Sequence, residues 1–324
     1  MNQEEQKSAG NPKSEPNWEK DLVNRLAFAS LKEQRRSRRW SIFFKFLLFI
    51  YLFVLLFTAI GPDFGEKATV GKHTAQVEVN GPISDDSEAN AEDIIDGLRD
   101  AFEHANTKGV ILRINSPGGS PVQSDYIYNE IRRLRSAHEE IPVYAVIVDM
   151  GASGAYYIAS AADAIYANPA SIVGSIGVLM NSFGFVKSMD KLGVERRLYT
   201  AGENKAFLDP FSPVEEESTR HIQAMLKDIH QQFIGAVQAG RGDRLSESEE
   251  LFSGLAWTGQ KAEELGLIDG MGDVDYVARE LIEAEEVVDF TRKPDLFKRF
   301  ADRIGASMAG VITRNIGLQG PELR

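Results

Sequence analysis

The chain has 324 residues, 43% apolar and 26% charged, with 28 Gly, 12 Pro and no Cys. That balance excludes a collagen, a disulfide scaffold and a disordered chain, and the missing cysteine excludes thiol catalysis, zinc fingers and iron–sulfur ligation. The net charge of −12 is uneven: residues 1–45 carry ten Lys/Arg against six Asp/Glu, leaving the rest at −16, which argues against nucleic acid as a partner.

Residues 1–40 read as a mostly flexible, polar tail, with Pro12 and Pro16 in its first part. From Phe46 to Ile60 there is no charge, and extending back to Ile42 adds only Lys45. At 1.5 Å per residue, 19 positions make a helix of about 28 Å, close to the ~30 Å hydrocarbon core of a bilayer. Lys45 sits near the end, where it can snorkel to headgroups. The expectation is one transmembrane signal anchor over 41–60. Lys32, Arg35, Arg36, Arg38 and Arg39 precede it, so the positive-inside rule keeps the N-terminus cytoplasmic and puts the rest outside. A cleaved signal peptide fits less well: its small-residue site, Ala59-Ile60-Gly61, is followed by Pro62.

After a linker over 61–72, residues 73–324 form the extracytoplasmic domain. Strand-like runs occur at 75–79, 109–115, 143–149, 164–167, 176–180 and 196–200, with helical periods between the earlier ones, such as Ile94-Leu98-Phe102 and Ile127-Ile131-Leu134. Near-continuous apolar strands alternating with helices predict an α/β fold with a largely parallel sheet. A long amphipathic helix is predicted over 214–238, with Ile222, Met225, Leu226, Ile229, Phe233 and Val237 on one stripe. Beyond Pro294, Leu296, Phe297, Phe300, Ile304 and Met308 share a helical face that predicts packing on a second subunit, the membrane or its own domain. The tripeptide Arg241-Gly242-Asp243 is taken as chance.

Three loops follow strands, where α/β sheets place their chemistry. Gly118 and Gly119 allow close backbone approach to a ligand, or simply a tight turn. Ser153, among Gly151, Ala152, Gly154 and Ala155, is a candidate nucleophile whose following helix aims N–H groups at an oxyanion; it is equally a helix cap. None of His73, His104, His138, His221 and His230 lies in these loops, and no pair has metal-ligand spacing, so a Ser-His-Asp triad and a metal site are both unsupported. No cofactor is expected. Lys205 remains as a general base, provided burial makes it neutral; otherwise it is a surface lysine.

The anchor, Ser-Pro-Gly-Gly-Ser (116–120), Asp-Met-Gly-Ala-Ser-Gly-Ala-Tyr-Tyr (149–157), Gly-Glu-Asn-Lys (202–205), Phe-Ser-Gly-Leu-Ala-Trp-Thr-Gly-Gln-Lys-Ala (252–262) and Leu-Gly-Leu-Ile-Asp (265–269) together resemble the signal peptide peptidase A family, S49. The resemblance covers roughly 75–270 and is to the short form. It implies a Clp-protease/crotonase-like core of repeated β-β-α units in a superhelix. It also implies Ser153 as nucleophile, Lys205 as general base, Ser175 orienting the lysine, and Gly154 with Gly118 and Gly119 as the oxyanion hole. The implied substrates are remnant signal peptides at the membrane lipid. The implied assembly is a homo-oligomer, an octamer in short forms, with the dyad shared between neighbouring protomers. The implied location is the bacterial inner membrane. Alternatives are quality-control proteolysis with the same dyad, an inactive scaffold, and, at the level of the fold, acyl-CoA chemistry.

Overall fold

The computed structural model describes residues 18–60 and 71–292, which fall into two compact units divided between residues 66 and 67. The tail before residue 18, the linker over 61–70 and the helix expected after Pro294 lie outside the described residues.

In the first unit a single helix, α1 (Trp18–Ile60), covers the expected anchor and also residues 18–40 of the expected flexible tail. The stretch contains no Gly or Pro, and Leu, Lys, Arg, Glu and Ala are strong helix formers, so nothing interrupts the backbone ladder. The side chains from Ile42 to Leu55 are all exposed. Among the described residues no helix is long and apolar enough to cross a membrane. The apolar run continues to Ile60, and its last five side chains lie outside the described residues.

The second unit is α/β. Its sheet is built from β1 (His73–Asn80), β2 (Thr107–Ser116), β3 (Val143–Ala152), β4 (Ala164–Ala167), β5 (Ile172–Gly174), β6 (Ala256–Thr258), β7 (Gly270–Met271) and β8 (Val287–Asp289). The order is β6-β5-β3-β2-β1-β8, with β4 lying beside β3 and carrying β7. Every pairing is parallel except β5 with β6. One edge of β3 is shared: Tyr144–Ile147 pair with β4, and Met150–Ala152 pair with β5.

Two helices, α2 (Ala91–Glu103) and α3 (Pro121–Ala137), cover one face. Asn90 and Ser120 cap them by accepting from the amides of Asp93 and Gln123, and Pro121 occupies the first turn of α3, where its missing N–H costs nothing. Their stripes, including Ile94, Leu98, Ile127 and Ile131, close over Val77, Val79, Leu112 and Ile114. Each such side chain contributes about 1.5–3 kcal/mol on burial. The opposite face is smaller, with Ile111 and Val146 under Val277, Ala278 and Ile282. Burial on both sides explains why β2 reads as an almost unbroken apolar run.

Two expected strands are absent. Residues 176–180 leave the sheet because Gly174 and Ser175 both take positive φ and turn the chain away; the nearby strand is β5, ending at Gly174. Residues 196–200 are exposed and pair with no strand among the described residues. Extended patterning without a partner does not make a strand.

The long helix forms as α6 (Glu216–Arg241), but only Phe233, Ala236, Val237 and Arg241 are buried along it. Arg241 is 2% exposed; its guanidinium donates to Asp269 Oδ2 at 2.6 Å and to the Gly266 carbonyl. The Arg-Gly-Asp tripeptide is therefore not displayed as a ligand. Burial pushes the Asp269 carboxyl up, yet the Arg241 hydrogen bond and charge outweigh it and hold the group below its ordinary value. Removing Arg241 takes away a buried ion pair and its bonds to the Gly266 carbonyl, but Asp269 keeps Arg244 Nη1 at 3.1 Å and the Ile165 N–H at 2.7 Å. Arg241→Ala is therefore expected to lower unfolding free energy by about 3 kcal/mol, the low end for a buried pair broken on one side, read as a shift in denaturant midpoint.

Candidate active site

Strand register assembles the site. Ser116 at the end of β2 pairs with Gly151, and Ala152 at the end of β3 pairs with Gly174 at the end of β5. Ser153, the residue after β3, is therefore flanked by the 117–119 turn on one side and by Ser175 on the other. Its N–H donates to the Gly174 carbonyl at 2.7 Å.

Ser153 adopts φ 54° and ψ −125°. Only three non-glycine residues among those described have positive φ, and two of them are Ser153 and Ser175. Side chains avoid this region at a cost of about 1–3 kcal/mol, and residues held there concentrate where geometry serves function. Ser153 precedes the short helix α4 (Gly154–Ala159), but its side chain makes no capping hydrogen bond. The hydroxyl is left to other work.

The glycines beside it are there for close approach. A Cβ on Gly118 (φ 91°) would lie 2.6 Å from Gly154 N and 2.7 Å from Ser153 Cβ. On Gly119 it would lie 2.0 Å from the Ile83 carbonyl oxygen. The Gly118 N–H donates to Ser116 Oγ at 3.1 Å, so that amide is already engaged and Gly118 contributes through its missing side chain.

A cavity of about 860 Å³ opens over this corner and includes Ser153, Gly154, Gly119 and Ser175 in its lining. Its apolar wall comes from Val122, Val178, Leu179, Ile229 and Phe233. Ser175 is positioned by its own N–H, which donates to Leu255 O at 2.8 Å.

Lys205 is not brought to this cavity. It is exposed in a turn, its N–H donating to the Gly202 carbonyl at 3.2 Å, and no hydrogen bond joins it to Ser153. Its neighbours Glu203, Asn204 and Ala206 line a separate cavity of about 440 Å³. The segment from Leu179 to Lys205 is almost wholly exposed, although it carries Leu179, Phe183, Leu192 and Tyr199, each more than three-quarters exposed.

Sequence reasoning missed three side chains in the cavity: Asp125, Tyr157 and His230. His230 lies on α6 rather than in one of the three loops. It follows Leu226 by four and precedes Phe233 by three, so it belongs to the apolar stripe, and that spacing was the available signal. Its Nε2 donates to the Ile176 carbonyl at 3.0 Å, bracing the residue after Ser175. A carbonyl only accepts, so this nitrogen carries the proton.

A model of peptidase family S49 matches residues 135–288, which include Ser153, Ser175 and Lys205 but not the 118–119 turn. A Brucella melitensis biotype 1 protein named Na(+)/H(+) antiporter NhaA is 50% identical over 177 residues, 55% of this chain and 24% of that protein. The chain thus spans about a quarter of that relative's length. An Enterococcus faecium protein provisionally named signal peptide peptidase SppA is 30% identical over 234 residues, 70% of this chain and 67% of that one. The Arabidopsis thaliana protein named serine protease SPPA, chloroplastic, is 31% identical over 243 residues, 72% of this chain and 36% of its own length.

Proposed function

Because the chain belongs to peptidase family S49, we propose that it is a membrane-anchored serine endopeptidase that degrades remnant signal peptides, with Ser153 as nucleophile and Lys205 as base. The observation that carries this reading is Ser153 itself: uncapped, at positive φ, beside two close-packed glycines in an apolar-walled cavity. Ser153 Oγ attacks the scissile carbonyl carbon while its proton passes to the Lys205 amine. Charge developing on the carbonyl oxygen is met by the Gly154 and Gly119 amides. The proton then passes to the leaving amine, and water, deprotonated by the same lysine, hydrolyses the acyl-enzyme.

Lysine serves as base only when neutral, which requires a water-poor setting. Lys205 is exposed among the described residues, and in this reading the cover it needs comes from a neighbouring protomer. The apolar segment around it supports a homo-oligomer, an octamer by resemblance, in which Lys205 of one protomer serves Ser153 of the next. The Clp-protease/crotonase-like superhelix belongs to the same proposal. So does an inner-membrane location, with residues 41–60 as a signal anchor, the N-terminus cytoplasmic and the peptidase domain outside.

A fluorophosphonate probe tests the nucleophile. Full-length protein in detergent is expected to acquire one covalent adduct at Ser153, located by peptide mass spectrometry, and Ser153→Ala to acquire none. An unlabelled wild-type chain with intact assembly would favour an inactive scaffold.

A further inference from the structure

Among the described residues lining the Ser153 cavity there is one carboxylate and no Lys or Arg. The carboxylate is Asp125, on α3, and it is held in place. Tyr157 donates its hydroxyl to Oδ1 at 2.9 Å, and Asn129 Nδ2 donates to Oδ2 at 2.9 Å. Burial, together with the Asp125 hydrogen bond and charge, pushes the Tyr157 hydroxyl far above the ordinary phenol value, so Tyr157 remains a donor. Two donors occupy two of the roughly four lone-pair positions of a carboxylate, which leaves acceptor capacity for a ligand. The other titratable group in the lining, His230, is already engaged with the Ile176 carbonyl. The neighbouring wall is apolar, through Val122, Ile229 and Phe233.

We propose that Asp125 is a specificity residue that favours peptides placing a Lys or Arg side chain beside an apolar stretch in the Ser153 cavity. This inference rests on the peptidase reading for its substrate class, but the selection is made in binding and can be measured without turnover. A peptide cation gains a fixed carboxylate in a partly desolvated wall, whereas an anion there meets repulsion and a neutral side chain meets neither.

The test uses full-length Ser153→Ala protein and two N-acetylated fluorescent peptides of the same apolar sequence, one with Lys and one with norleucine at a single position scanned along the peptide. At one position, the Lys peptide is expected to bind about three- to fivefold tighter, the size of a partly exposed charge pair. The ratio of the two dissociation constants should fall to about one in Ser153→Ala/Asp125→Asn. It should persist in Ser153→Ala/Tyr157→Phe, which loses the donor and keeps the carboxylate. A ratio of one at every position in the Ser153→Ala parent, or a Lys preference that survives Asp125→Asn, overturns the proposal. If Asp125→Asn does not fold, salt decides in the Ser153→Ala parent: a Lys-over-norleucine ratio that falls toward one at high ionic strength supports a charge pair with the one carboxylate among the described lining residues, and a ratio unchanged by salt overturns it. Absence of turnover by the wild-type enzyme would instead defeat the peptidase reading, leaving the binding ratio to be read on its own.

Discussion

Ser153→Ala and Lys205→Ala chains, each inactive alone, are expected to recover peptidase turnover when assembled together. Loss of either member of a nucleophile–base pair lowers kcat by a factor on the order of 10⁴ or more, because the two act as a unit. Within one chain Lys205 lies outside the cavity that holds Ser153, in an exposed segment with large apolar side chains turned to solvent. If neighbours share the dyad around a ring, random co-assembly of equal amounts leaves about a quarter of the junctions with both groups intact. Turnover should approach that fraction of wild type. Mixing after each variant has assembled should recover less, in step with subunit exchange. No recovery from mixed oligomers verified by native mass spectrometry would refute the shared site. Lys205→Arg should be as inactive as Lys205→Ala, since guanidinium stays charged and cannot take the proton.

Gly119→Ala is expected to reduce kcat by a factor of about 10²–10³ with a smaller change in KM, the signature of a lost oxyanion donor. The added Cβ would stand 2.0 Å from the Ile83 carbonyl oxygen, so the turn has to move. That turn is held on both sides of the glycine: Ile83 N–H donates to Gly118 O at 2.9 Å and Ser120 N–H to Ile83 O at 2.8 Å. A stability loss of about 1–3 kcal/mol should accompany the change, the usual scale of enforced backbone strain. Near-normal kcat in a folded Gly119→Ala protein would remove this turn from the oxyanion hole. Ser175→Ala keeps the backbone bond to Leu255 and loses only a hydroxyl, so its effect on kcat should be smaller than either.

Patterning alone made the α/β class legible. β1 to β4 and the long helix α6 appear within a few residues of where apolar periodicity predicted them, because each buries a face whose repeat is local to the chain. The short strands β5 to β8 were not legible, nor was the irregular course of residues 196–200. Two- and three-residue strands exist only because a partner backbone lies alongside, and sequence carries little record of the partner.

The candidate residues divide in the same way. Ser153, Gly118, Gly119 and Gly154 stood out from the sequence because small residues after apolar strands are a local signal, and the structure brings them to one corner with Ser175. The amino-acid sequence by itself determined the sheet-and-helix architecture, the apolar helix at the N-terminus, the family resemblance and the small-residue loops. Only the tertiary structure decided which side chains share the cavity. It admitted Asp125, Tyr157 and His230, whose spacing looked like ordinary helix, and it left Lys205 outside. Local periodicity says which face of an element is buried, whereas cavity membership depends on strand register and the crossing of distant helices, which no short window of sequence encodes.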